Sequence, residues 1–151
     1  MKRSISAFAG AAAVIVSIMT AVGFAAPSGL PCQEGKAGPP ELAASGKKNT
    51  LPGGLYFTWE FDRAPKMGTA ILKVRVFDGK GKQITPFDVT GRSDMPSMRG
   101  GHDSGDVKFK LNKKGDYLLP VNIVMPGDWE VILVFQSRGT VVFRGRILFD
   151  V

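Results

Sequence analysis

The chain has 151 residues, with 20 basic and 13 acidic side chains, a formal net charge of +7, one cysteine and one histidine. A single cysteine excludes an intrachain disulfide, and one histidine far from that cysteine excludes a convincing Ser-His-Asp or Cys-His nucleophilic centre. The length suits one domain whose core must hold without covalent staples.

Met1-Lys2-Arg3 is a short basic start, and no charged residue occurs from Ile5 to Ala26. Basic residues beside an apolar run resist translocation, so the start stays cytoplasmic and the remainder crosses. Residues 1–26 are therefore read as a signal peptide or N-terminal membrane anchor. The protein is expected in the periplasm or on the extracytoplasmic face of the inner membrane. Gly23 and Ala25 offer small residues for cleavage before Ala26, whereas the run exceeds the ~7–15 residues of a signal-peptide core and approaches the ~20 that span a bilayer. Its many Ala, Gly and Ser residues favour cleavage, and retention leaves membrane association through this segment.

Without Lys2 and Arg3, 18 basic residues face 13 acidic ones, a net charge of +5. In an exported protein this mild charge serves solubility, anionic lipid or acidic partners before nucleic acid. No aromatic residues interleave with the outward basic ones, as a nucleic-acid surface would need.

Residues 27–54 are rich in Pro, Gly, Ala, Ser and Lys, with Pro39-Pro40 and Pro52-Gly53-Gly54 as punctuation. Such a stretch has little to bury, and it is read as a flexible linker. Cys32 follows Pro31, which is unsuited to the small-residue position before a lipidated cysteine, so Cys32 is read as a linker thiol.

From 55 to 151 the pattern becomes period two, the spacing of a half-buried strand. Leu72, Val74 and Val76 alternate with Lys73 and Arg75; Val107, Phe109 and Leu111 alternate with Lys108 and Lys110; Ile147 and Phe149 alternate with Arg146 and Asp150. Trp129 to Phe135 is apolar on both parities apart from Glu130, as a central strand should be. Pro120 pushes the strand around it toward an edge. Asp78-Gly79-Lys80-Gly81 and Arg138-Gly139 have hairpin chemistry. Strands are predicted over Tyr56–Phe61, Ala70–Phe77, Ile84–Val89, Val107–Asn112, Tyr117–Val124, Trp129–Ser137 and Thr140–Val151. About seven strands without a helical period give an all-β fold, an Ig-like or cupredoxin-like antiparallel β-sandwich. Gly115-Asp116-Tyr117 has the form of a tyrosine corner, a structural tie of such sandwiches. Trp59 and Trp129 are expected in the core.

One connection is long, from Thr90 to Gly105, and it carries two of the six methionines and the only histidine. Loops of that length are usually functional or disordered. Thioether and imidazole donors suit Cu(I), because sulfur is soft and neither donor must lose a proton. Met95-x-x-Met98-x-x-x-His102 could close around one ion if Gly100 and Gly101 fold the chain back, with Met125 approaching from another strand end. Arg99 lies between the donors and would repel a cation. Zinc is less suited, since its thiolate donor would have to come from Cys32. Each methionine also has a simple packing reading. Asp88, Asp94, Asp103 and Asp106 cluster near the loop, and loop aspartates more often bond neighbouring backbone than catalyse, so no enzyme activity is expected.

Tyr56-x-x-Trp59-Glu60, Gly68, Leu72-x-Val74-x-Val76-x-Asp78-x-x-Gly81, Met95-Pro96-x-Met98 with His102, Gly115-x-Tyr117 and Met125-Pro126-Gly127-x-Trp129-Glu130-Val131 follow one another in an order that resembles the YtkA-like family. FixH-like proteins share part of the pattern. The resemblance implies an exported or membrane-anchored β-sandwich linked to copper handling or oxidase assembly. It implies Met95, Met98 and His102 as ligands, with Met125 in a turn of structural or ligating role. In the family the histidine stands nearer the second methionine than it does here. The expected function is a noncatalytic extracytoplasmic domain that binds or delivers copper, Cu(I), with a copper-handling, oxidase or efflux membrane protein as partner. The alternative is a metal-free interaction module tethered near the membrane in an envelope or respiratory complex.

Overall fold

The computed structural model describes residues 38–151. The leader, Cys32 and residues 27–37 of the expected linker lie outside the described residues. The strands are β1 (Asn49–Leu51), β2 (Leu55–Phe61), β3 (Gly68–Phe77), β4 (Gln83–Ile84), β5 (Asp88–Asp94), β6 (Val107–Lys108), β7 (Lys110–Leu111), β8 (Tyr117–Ile123), β9 (Asp128–Ser137) and β10 (Thr140–Asp150). They form two antiparallel sheets, one ordered β1-β2-β3-β8-β7 with β4 also on β3, the other β10-β9-β5-β6. This is the all-β sandwich that the alternating pattern predicts.

The core lies between the sheets, where alternate residues of each strand point inward. Ala70, Leu72, Val74 and Val76 of β3 face Trp129, Val131, Leu133 and Phe135 of β9, and all are buried. Phe135 is the hub, with ring centroids 4.7 Å from Phe57, 5.9 Å from Phe87 and 5.9 Å from Phe143. As its two-sided apolar pattern predicts, β9 is flanked by β10 and β5. Pro120 pairs with β3 alone, since β7 reaches only Tyr117 and Leu118 of β8.

Three sequence expectations are corrected. First, residues 38–54 are not a free linker. Leu42, Asn49 and Leu51 are buried, and β1 pairs with β2. Leu42 donates its N–H to the Arg146 carbonyl and Arg146 donates to the Pro40 carbonyl, so residues 40–42 run as a strap along β10. The Leu42 side chain fills the space above Gly145, where an added Cβ would come within 2.4 Å of Leu42 Cδ2. Second, the strand expected at Ile84–Val89 sits later, at Asp88–Asp94, because Pro86 interrupts the ladder and the polar segment Thr90–Asp94 is paired along β9. Third, Val107–Asn112 is two short strands. The chain leaves one sheet for the other at buried Phe109, which leaves Val107 and Leu111 exposed.

The tyrosine corner is present. The Tyr117 hydroxyl donates to the Phe87 carbonyl at 3.0 Å and accepts from the Phe87 N–H at 3.4 Å, tying β8 to the segment that opens β5. Beside it, buried Asp116 accepts hydrogen bonds from Asn112, Arg75 and Gln83. Burial opposes ionisation of this carboxyl, but the three donors and the Arg75 charge outweigh it and hold its pKa below the ordinary value. A depressed folded pKa gives stability that is present above the unfolded value and is lost as pH falls through the folded one. Asp116→Asn is therefore expected to lower stability by about 1–3 kcal/mol at neutral pH. That difference should shrink below about pH 4. Urea midpoints at several pH values check this, and a pH-independent difference would contradict it.

Candidate functional site

The connection from Met95 to Asp106 is latched along its length. After β5, residues Pro96–Met98 make a short 3-10 turn, closed by Met98 N–H to Met95 O at 3.0 Å and Gly101 N–H to Met98 O at 2.9 Å. The Asp128 carboxylate accepts from the Ser97 N–H and hydroxyl, and these bonds hold its pKa below the ordinary value, the hydroxyl contributing most. Buried Asp94 accepts from the Met95 and Gly100 N–H groups. Arg92 forks onto Asp103, whose pKa is lowered first by that guanidinium and then by the Gly105 N–H. Ser93 and Ser104 bond reciprocally, at 2.9 Å each way. Asp88 pairs with Lys108 at 2.6 Å. The Asp88, Asp94 and Asp103 carboxylates are thus committed to ion pairs and backbone donors.

Arg99 does not stand among the donors. Its guanidinium bonds Glu130 Oε1, which lies on the outward parity of β9, and that bond raises the arginine pKa. Glu130 is 1 % exposed, and its Oε2 has no partner among the described residues. In β9 this glutamate was the one signal of such a pair, a charge inside an otherwise apolar run.

The four candidate ligands separate by burial. Met95 is 2 % exposed and points inward. Its methyl group lies where Gly127 leaves room, 2.9 Å from the position a Cβ would take. Met125 is half-buried, packs on the core, and its carbonyl accepts the Trp129 Nε1–H at 3.1 Å. His102 is half-buried in a cleft of about 310 Å³ beside Trp129, Ser104 and Asn122. Its ring centroid is 6.2 Å from that of Trp129. Met98 is 47 % exposed on the 3-10 turn.

The β5–β9 register, extended one residue past its last pair Asp94–Glu130, sets Met95 across from Trp129. Met95, Met125 and His102 therefore lie at the Trp129 end of the sandwich, Met125 bonded to the indole through its backbone carbonyl and His102 beside it through its ring. Sequence reading placed Trp129 in the core but not beside His102. Among the described residues no three His, Cys, Asp or Glu side chains converge as a metal site. A cation held here would draw on thioethers and one imidazole, a set whose chemistry fits a soft monovalent ion.

No curated protein matches the chain. Among solved structures, FetP of uropathogenic E. coli strain F11, recombinantly expressed in the periplasm of E. coli BL21(DE3), is 12% identical with a TM-score of 0.49. The alignment covers 71% of this chain and 93% of that one. The YtkA-like family model matches residues 54–134, a span that runs from the start of β2 into β9 and holds all four candidate ligands. The chain belongs to the YtkA-like family.

Proposed function

We propose that this protein is a noncatalytic extracytoplasmic domain that binds Cu(I) at the Trp129 end of the sandwich and passes it to a membrane protein of copper handling, oxidase assembly or efflux. The observation that carries the reading is that Met95, Met125 and His102, soft or borderline donors of a YtkA-like domain, lie at the same end of the sandwich as Trp129. His102 is open to a ligand, since its ring makes no hydrogen bond among the described residues and borders a cleft. Met98, exposed on a short turn, would join as a fourth donor or exchange the ion with a partner. Pairing with Glu130 takes the Arg99 charge to the outer face, away from these donors. Export through the apolar leader places such a site where copper is handled.

Competition titration of the purified protein with Cu(I) against a chromogenic chelator tests this. One saturable site at submicromolar affinity is expected. His102→Ala and Met98→Ala should weaken it about tenfold or more, which is about 1.4 kcal/mol. Met95→Leu and Met125→Leu remove sulfur while nearly keeping volume, at a stability cost of less than about 1.5 kcal/mol, so they separate ligation from packing. No saturable site, or one unchanged in all four variants, overturns the reading.

The deep burial of Met95 favours the second reading, a metal-free interaction module in which that methionine only fills the core. A partner recovered from membranes equally well with and without a copper chelator, together with a silent titration, supports that alternative.

A further inference from the structure

We propose that Glu130 is a hand-off point between two arginines: its carboxylate passes from Arg99, which latches the connection after β5, to Arg146, which lies under the strap. The strap then governs whether the connection is latched. Among the described residues two buried side-chain atoms lack a hydrogen-bond partner, Glu130 Oε2 and Arg146 Nε, an acceptor and a donor of opposite charge. Both side chains are on the outward parity of their strands. Arg146 pairs with Ile132 and Leu148 with Glu130, so Arg146 and Glu130 are diagonal neighbours on adjacent strands. Diagonal neighbours stand about 7–8 Å apart, within reach of a long side chain. Arg146 also lines the cleft of about 310 Å³ bordered by Leu148 and by Pro96, the first residue of the 3-10 turn. Neither other arginine of these strands competes. Arg92 forks onto Asp103, and Arg144 lies two residues further from Glu130 along β10, opposite Val134.

Glu130 is 1 % exposed, and a carboxylate so placed is costly to leave without a cation. That penalty keeps the latch closed, since the Arg99 side chain is itself 57 % exposed and is solvated on leaving. A second guanidinium on Oε2 removes the penalty. Arg99 then departs at small cost, and the turn keeps only the bonds of Ser97 to Asp128 as its side-chain tie to β9. The strap opposes this transfer. It bonds the Arg146 backbone on both sides, with the Leu42 N–H 2.8 Å from the Arg146 carbonyl and the Arg146 N–H 2.9 Å from the Pro40 carbonyl. It also packs on the guanidinium, because a Cβ on Gly38 would stand 3.3 Å from Nη1. With the strap lifted, the guanidinium turns to Oε2. The coupling holds whether or not the connection binds a metal.

Amide hydrogen exchange of the whole protein, followed by NMR, tests this at Gly100 and Gly101, whose N–H groups bond the Asp94 carboxylate and the Met98 carbonyl. Leu42→Ala, which loosens the strap, should speed exchange at these two amides about tenfold, the effect of one charge-assisted hydrogen bond. With Arg146→Met added, no second guanidinium is at hand and the acceleration should vanish. Gly38→Ala, at an exposed position, presses directly on Nη1 and should act in the same direction. If Leu42→Ala fails to fold, Gly38→Ala decides alone. Equal acceleration with and without Arg146 reports general destabilisation and overturns the hand-off. Exchange unchanged in both strap variants overturns it as well.

Discussion

Leu42→Ala is expected to cost about 2–5 kcal/mol, because it empties a core position that the chain fills from outside its regular sandwich strands. Leu42 is 9 % exposed, which places the cost toward the lower end. Its side chain and the bare backbone of Gly145 form a matched pair, with Leu42 Cδ2 only 2.4 Å from where a Cβ on Gly145 would stand. Gly145→Ala alone should therefore destabilise by about 1–3 kcal/mol through overpacking. In the double variant the alanine methyl enters the space the leucine vacates. Its loss should fall short of the sum of the single losses by about 0.5–3 kcal/mol. Equilibrium urea unfolding of the four proteins closes the cycle. Strict additivity would show that the strap does not pack on β10 as described.

Phe135→Ala is the second large effect, at about 3–5 kcal/mol. Total stabilities of such domains are only about 5–15 kcal/mol, so this one substitution removes a large share. The reason is position. Phe135 is fully buried in the central strand of its sheet and touches Phe57 of the opposite sheet as well as Phe87 and Phe143. Phe135→Leu keeps much of the volume and loses the ring contacts, which are worth about 0.5–1.5 kcal/mol per aromatic pair, so it should fall between wild type and alanine. A loss below about 1 kcal/mol for Phe135→Ala, measured by the same unfolding curves, would contradict the hub assignment.

Strands β2, β3 and β10 were legible in the sequence because apolar inward residues alternate with mostly polar outward ones, and β9 because its run is apolar on both parities. Strand β5 was hidden because Thr90-Gly91-Arg92-Ser93-Asp94 contains no large apolar residue, and its pairing is dictated by β9 rather than by its own pattern. Leu42 and Leu51 were missed for a related reason. Each is a solitary apolar residue among Ala, Ser, Gly and Lys, and one residue has no period. Their burial depends on partners remote in the chain, Gly145 for Leu42 and β2 for Leu51.

The candidate site was legible by residue type and not by arrangement. Met95, Met98, His102 and Met125 stood out as soft or borderline donors near one long connection. That Met95 turns inward follows from the β5–β9 register, and that Met98 is exposed while Arg99 bonds Glu130 goes with the 3-10 turn after it; spacing along one loop contains neither.

The strap bears finally on self-association. Strand β10 is the outer strand of its sheet, and an outer strand with free N–H and C=O groups is a template for pairing with a second chain. Residues 40–42 occupy that edge at Arg146 and cap the groove above Gly145. The family match begins at residue 54, beyond the strap and β1. A domain cut at that boundary would uncover apolar surface and an open strand edge together, so the segment resembling a linker shields both from a second chain.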